Sequence, residues 1–190
     1  TQGVTMNMMK NHGASVNNVI KHSLKVLDMP YRSYDNKFEA YKNAKILLNH
    51  CKPDLIKLEI NRKKLSILKY LVSKNINLIS HIGVTPQSYK NFNKIKILGK
   101  TNKEKENLLY LAKQCEKYGA VAILLECITL EAARLITENI SIPTIGIGAS
   151  KYCDGQILVF DDLIGLNPIN VRFVKKYSNI RKEMTKAVAS

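Results

Sequence analysis

An α/β fold built on a parallel sheet is what this sequence predicts. Three observations carry that expectation. Short apolar runs rich in β-branched residues recur along the chain, helix-period segments separate them, and the positions just after the runs are repeatedly polar. The runs are residues 26–27, 55–58, 76–80, 121–125, 143–147 and 156–160. Continuous apolar runs of this length suit strands buried on both faces, as in a parallel sheet. The order they predict is six strands joined by helical crossovers, in a single domain over residues 1–190. Such an order fits a doubly wound sheet or a section of a (β/α)₈ barrel. A full barrel takes roughly 250 residues, so six strands would leave it about two βα units short.

The helical segments follow from spacing. Phe38, Tyr41, Ala44 and Leu48 recur at three-to-four intervals, as do Leu65, Leu68 and Leu71, and then Leu108, Leu111, Cys115 and Tyr118. Thr101 and Glu104 stand three apart before the last of these, which is the spacing of a capping box. Residues 130–139 read as a shorter helix, and the Lys- and Arg-rich tail from about residue 171 as one or two terminal helices.

Composition narrows the function classes. The chain has 190 residues, with 45% hydrophobic and 24% charged, which is ordinary for a folded domain. No apolar run approaches the roughly 18–20 residues of a membrane helix. The opening Thr1-Gln2-Gly3-Val4-Thr5 has neither a basic nor an apolar stretch, so no leader is expected there. It also lacks Met, which suggests processing or a piece of a longer protein. Cys51, Cys115, Cys127 and Cys153 form no CxxC pair, so zinc-ribbon and disulfide-scaffold readings fail, and reduced thiols in a cytoplasm are expected. Lys+Arg number 30 against 15 Asp+Glu, a net charge of +15. The lysines spread over the whole chain without interleaved aromatics, which favours a diffuse surface charge over a nucleic-acid interface.

In parallel α/β folds, reactive groups collect at the carboxyl ends of strands. Here Asp28 ends the first run, Lys57 and Glu59 the second, Ser80 and His81 the third, Glu126 and Cys127 the fourth, Gly146-Ile147-Gly148 the fifth, and Asp161-Asp162 the sixth. Each has a plain structural reading. An Asp there can cap a helix, Lys57 and Glu59 can form an exposed pair, and His81 can be a satisfied core residue. Gly146-Ile147-Gly148 lacks the third glycine of a dinucleotide fingerprint and reads as a tight turn. Glu126 follows five apolar residues, and a carboxylate at the end of a buried strand must be paired, hydrated or functional. As a set, Asp28 and Glu59 suit a hard cation, Lys57 and His81 suit an anionic substrate, and Glu126 suits a base. That combination fits proton abstraction beside a metal-polarised carbonyl.

The segments Asp28-Met29-Pro30-Tyr31, Ile56-Lys57-Leu58-Glu59, His81-Ile82-Gly83-Val84-Thr85-Pro86-Gln87-Ser88, Leu125-Glu126-Cys127, Pro143-Thr144-Ile145-Gly146-Ile147-Gly148-Ala149 and Cys153-Asp154-Gly155-Gln156-Ile157-Leu158-Val159 resemble the ketopantoate hydroxymethyltransferase family in order and spacing, over residues 16–177. The resemblance implies a (β/α)₈ barrel of the phosphoenolpyruvate/pyruvate superfamily, here incomplete. It implies hydroxymethyl transfer from 5,10-methylenetetrahydrofolate to 3-methyl-2-oxobutanoate, giving 2-dehydropantoate for pantothenate and coenzyme A synthesis, with Mg²⁺ as cofactor. By the same resemblance Asp28 and Glu59 are metal-site carboxylates, Asp28, Lys57 and His81 contact substrate, and Glu126 is the catalytic base. A cytoplasmic homo-oligomer, decameric in the family, is implied as well.

One departure stands out. The family's Gly-Asp-Ser motif, which supplies another metal ligand, is not found, and residues 1–15 resemble the loop that follows it. The expectation is therefore a fragment without the first two βα units, binding magnesium and keto acid poorly by itself. Other readings remain: a carbon–carbon lyase or mutase of the same superfamily acting on another 2-oxo acid, a basic nucleic-acid-binding module, or a non-catalytic remnant.

Overall fold

The computed structural model describes residues 2–89, 96–169, 171 and 173–190. Among these residues six parallel strands form one sheet: β1 (Val26–Asp28), β2 (Leu55–Glu59), β3 (Leu78–Gly83), β4 (Ala122–Glu126), β5 (Thr144–Ile147) and β6 (Gly155–Gln156). They lie side by side in sequence order, each hydrogen-bonded to the next. A doubly wound sheet reverses its strand order at a switch point. No reversal occurs here, which decides between the two folds left open by the sequence: the sheet is a half-barrel, a section of a (β/α)₈ barrel.

Successive side chains of a strand point to opposite faces, and each face here has its own apolar cluster. Ile56, Leu58, Leu78, Ile82, Ile123 and Leu125 face the helices and join the large core. Ile79, Ala122 and Leu124 form a smaller cluster with Leu55, Ile145 and Ile147 on the opposite, concave face. Near the carboxyl ends of β1 to β4, that concave face carries Asp28, Lys57, Glu59, His81 and Glu126. The strand period thus sends the apolar residues to both layers and the chemistry to one.

Most of the helices begin where side-chain caps satisfy their free amides. In α1 (Met6–Val19) Thr5 accepts from the Met8 amide, and in α2 (Lys37–Cys51) Asn36 accepts from Phe38 and Glu39. A 3₁₀ turn over Arg62–Lys64 leads into α3 (Leu65–Val72), which buries Leu65, Ile67, Leu68 and Leu71 on one stripe. The expected Thr101–Glu104 capping box is formed at the start of α4 (Asn102–Lys117). Thr129 caps α5 (Leu130–Thr137). In α1, Gly13 is buried: a Cβ there would stand 2.8 Å from both Cys51 Sγ and Leu27 Cδ1, so α1 reaches α2 and β1 through a residue with no side chain.

Several expectations need correction. Residues 6–15, read as loop, belong to α1; the Thr5 cap starts that helix and Gly13 lets it pack. Thr1 lies outside the described residues. The third strand begins at Leu78 and runs through His81 to Gly83, so Ser80 and His81 lie inside it. The sixth strand covers Gly155–Gln156, not residues 156–160. Ile157 donates its amide to Gly146 O, after which the chain leaves the edge and turns into α6 (Phe160–Leu163). Asp161 and Asp162 therefore occupy the first turn of a helix, where negative charge is favoured. In the tail only α7 (Ile180–Ala189) is helical among the described residues, and residues 170 and 172 fall outside them.

Candidate active site

A cavity of about 280 Å³ opens at the carboxyl ends of the strands. Its walls include Asp28, Lys57, Glu59, His81 and Glu126, all five residues singled out from the sequence. Leu124 and Ile147 from the concave cluster provide an apolar floor, with Ile157 and Val159 on the β6 side.

Asp28 and Lys57 stand opposite each other in the β1–β2 register. Lys57 Nζ donates to Asp28 Oδ2 at 2.9 Å, with the lysine side chain largely covered and the aspartate half-exposed. Glu59 and His81 are likewise register partners, on β2 and β3. Glu59 is 8% exposed, and burial raises its pKa above the usual carboxylate range. The Gln87 backbone N–H opposes that shift most, with His81, Lys57 and Lys64 acting in the same direction.

His81 is 3% exposed, and its Nε2 lies 3.1 Å from Glu126 Oε2 across the β3–β4 pair. The contact has ion-pair length without hydrogen-bond alignment, so Nε2 is left unpartnered among the described residues. Glu126 closes β4, and Cys127 follows in the left-handed region at φ 49°, turning the chain away from the cavity. Burial, and then the Glu126 charge, push the Cys127 thiol up to about 11, so it stays protonated near neutrality.

Two further residues build the site, neither assigned a role from the sequence. Gln87 lies in a 3₁₀ turn after β3 and also lines the cavity. Its backbone N–H donates to both Glu59 carboxylate oxygens, at 3.0 and 3.2 Å. Its side-chain Nε2 donates to Met29 O at 2.9 Å, and its Oε1 accepts from the fully buried Tyr34 hydroxyl at 2.6 Å. Gln87 lies within the His81–Ser88 motif, its one signal in the sequence. Tyr34 had none beyond being an aromatic in a strand-end loop.

For a cation, the cavity offers the carboxylates of Asp28, Glu59 and Glu126, of which Glu126 stands against His81. Among the described residues no group of three or more His, Cys, Asp or Glu is arranged to hold a metal. A two-carboxylate donor set still fits Mg²⁺, which commonly takes one or two carboxylates and completes its shell with water and substrate oxygens. No helix among the described residues is long and apolar enough to cross a membrane.

The chain is 47% identical over 187 residues to the 3-methyl-2-oxobutanoate hydroxymethyltransferase of Pelagibacter ubique, covering 98% of this chain and 72% of that protein. It is 41% identical over 189 residues to the enzyme of the same name from Enterococcus faecalis, covering 98% of this chain and 69% of that one. Among solved structures, the 3-dehydroquinate dehydratase of Geobacillus kaustophilus superposes with a TM-score of 0.52 at 12% identity, over 97% of this chain and 75% of that one, a likeness of fold alone. The ketopantoate hydroxymethyltransferase family model matches residues 1–190, and the chain belongs to that family of transferases.

Proposed function

We propose that the cavity hosts hydroxymethyl transfer from 5,10-methylenetetrahydrofolate to 3-methyl-2-oxobutanoate, giving 2-dehydropantoate for pantothenate synthesis. The convergence of Asp28, Lys57, Glu59, His81 and Glu126 on one cavity supports this reading most directly. A 2-oxo acid presents a carboxylate, a keto oxygen and, in this substrate, a branched alkyl end. Lys57 supplies a cation on the wall, and His81 supplies a nitrogen with unspent hydrogen-bonding capacity. Leu124, Ile147, Ile157 and Val159 give the alkyl end an apolar surface and thin the water around it.

Glu126 is the base in this reading. It takes the C3 proton, C3 bonds to the methylene carbon, that carbon's two C–N bonds to the folate break, and water supplies the hydroxyl oxygen; the C3 proton and one proton of the water end on the two folate nitrogens, releasing tetrahydrofolate. Its setting suits a base, because it sits at the mouth of a buried strand with its side chain 20% exposed. Asp28 and Glu59 would hold Mg²⁺. When bound, the ion supplies Lewis-acid polarisation of the keto group, which acidifies the adjacent C–H.

The test is 2-dehydropantoate formation by the natural protein that carries this chain, assayed with and without methylenetetrahydrofolate and with and without Mg²⁺. Product that requires both supports the reading. Turnover of the keto acid without folate would replace it with lyase or mutase chemistry.

A further inference from the structure

The hydrogen bonds of Gln87 join three strand-end segments that are distant in sequence. One runs from its backbone to Glu59 at the end of β2. The other two run from its side chain to Met29 O and the Tyr34 hydroxyl, both in the segment after β1. Met29 directly follows Asp28, and its amide donates to Lys57 O on β2. Gln87 therefore touches one proposed cation-holding carboxylate directly and the neighbour of the other.

The amide orientation is fixed by its partners. Met29 O can only accept, so the nitrogen must face it, which leaves the amide oxygen for the Tyr34 hydroxyl. Burial raises the Tyr34 pKa, keeping that hydroxyl protonated and a donor. The Lys64 ammonium sits over the Tyr34 ring, 3.9 Å from its centroid, a cation–π contact. Each member of the group is thus constrained by the next, as is common for the partners that orient metal-binding carboxylates.

We propose that Gln87, locked by Tyr34, is a positioning residue that sets the placement of Asp28 relative to Glu59 and thereby the affinity of the site for a divalent cation. The inference rests on the reading of Asp28 and Glu59 as the cation-holding pair. It needs no contact between Gln87 and the substrate.

Two substitutions test it in the natural protein that carries this chain. Gln87→Met keeps side-chain length and the backbone N–H while removing both side-chain bonds. It also strands a buried hydroxyl, so Tyr34→Phe provides a milder route to the same linkage. Mn²⁺ binding in the presence of 3-methyl-2-oxobutanoate, followed by electron paramagnetic resonance, reads the site without turnover. Gln87→Met is expected to weaken Mn²⁺ binding by about 10- to 100-fold. Tyr34→Phe should weaken it less, and the double variant no further than Gln87→Met alone, because both act through one linkage. In steady state the Mg²⁺ requirement should rise while kcat at saturating Mg²⁺ stays within about threefold of the parent.

Mn²⁺ affinity within twofold of the parent in both single variants would overturn the inference, whatever happens to their thermal stability. A parent that fails to bind Mn²⁺ with the keto acid would instead overturn the assignment of Asp28 and Glu59.

Discussion

His81 Nε2 stands 3.1 Å from Glu126 Oε2, yet the two atoms are misaligned for a hydrogen bond and the nitrogen has no other partner among the described residues. Buried polar groups are nearly always satisfied, so an orphan at a cavity wall calls for an explanation. Under the proposed function, a substrate oxygen placed beside Nε2 on the cavity side would supply that partner. In that proposal His81 would meet the keto acid, leaving Glu126, beside it at the end of the next strand, for the C–H proton.

Glu126→Gln keeps shape and polarity but removes the base. In D₂O, exchange of the C3 hydrogen of 3-methyl-2-oxobutanoate should slow by about 10²- to 10⁴-fold, the usual worth of a positioned general base. Binding of the keto acid should stay within a few-fold, since the substituted amide still fills the strand end. Loss of the C3–H signal by proton NMR measures the first and titration calorimetry the second. Exchange at the parental rate would remove Glu126 from the base role.

Lys57→Met retains the stem that packs on the strand and deletes the ammonium. Hydrogen bonds to charged groups contribute about 1.5–3 kcal/mol, so the keto acid KM should rise roughly 10- to 100-fold. The Asp28 partner is left behind at the cavity wall, adding a repulsive term toward an anionic substrate. Initial rates over a range of keto acid at saturating Mg²⁺ check this, and an unchanged KM would separate Lys57 from substrate binding.

How much of this was legible in the sequence follows from which forces are local. Strands β2 to β5 announced themselves because parallel strands inside a sheet are largely buried and so read as apolar runs, whereas β1, with Val26 exposed, offered only a two-residue run. The sixth misled for the same reason: residues 157–159 are apolar but lie half-exposed beyond β6. The α4 cap was legible because Thr101 and Glu104 are three residues apart and act within one turn. The polar residues of the cavity were readable because they interrupt or follow apolar runs near the carboxyl ends of strands, although His81 proved to lie inside β3. The role of Gln87 was not, since its side-chain partners Met29 and Tyr34 lie 58 and 53 residues away and only the folded sheet brings them together.

Gly83 shows how closely β3 and β4 meet beside Glu126. It sits at φ 97°, and a Cβ there would collide with Glu126 O and stand 2.8 Å from Ile128 Cγ2. The following amide, Val84 N–H, donates to the same Glu126 O at 2.8 Å, so neither strand can retreat without losing that bond. Gly83→Ala should combine the strain of a positive φ with overpacking, destabilising by about 2–4 kcal/mol. Urea unfolding of parent and variant measures it. A change below about 0.5 kcal/mol, the ordinary range of surface substitutions, would contradict the crowding described.

Asp154 offers a pH test at the opposite end of β5. Its Oδ2 accepts from Thr144 N at 2.8 Å and from Thr144 Oγ1 at 2.9 Å, and its own amide donates back to Thr144 Oγ1 at 3.2 Å. The backbone N–H of Thr144 is the main cause that holds the Asp154 pKa below the ordinary carboxylate value. A carboxyl whose folded pKa is depressed contributes stability that is present above its unfolded pKa, about 3.9, and is lost as pH falls through the lower folded value. The parent should therefore lose stability more steeply than Asp154→Asn below about pH 4. Near neutrality the variant should be the less stable of the two, because an amide is a weaker acceptor for both Thr144 donors. Urea midpoints measured across the acid range check both statements, and acid limbs that run parallel in parent and variant would show that Asp154 has the same pKa folded and unfolded.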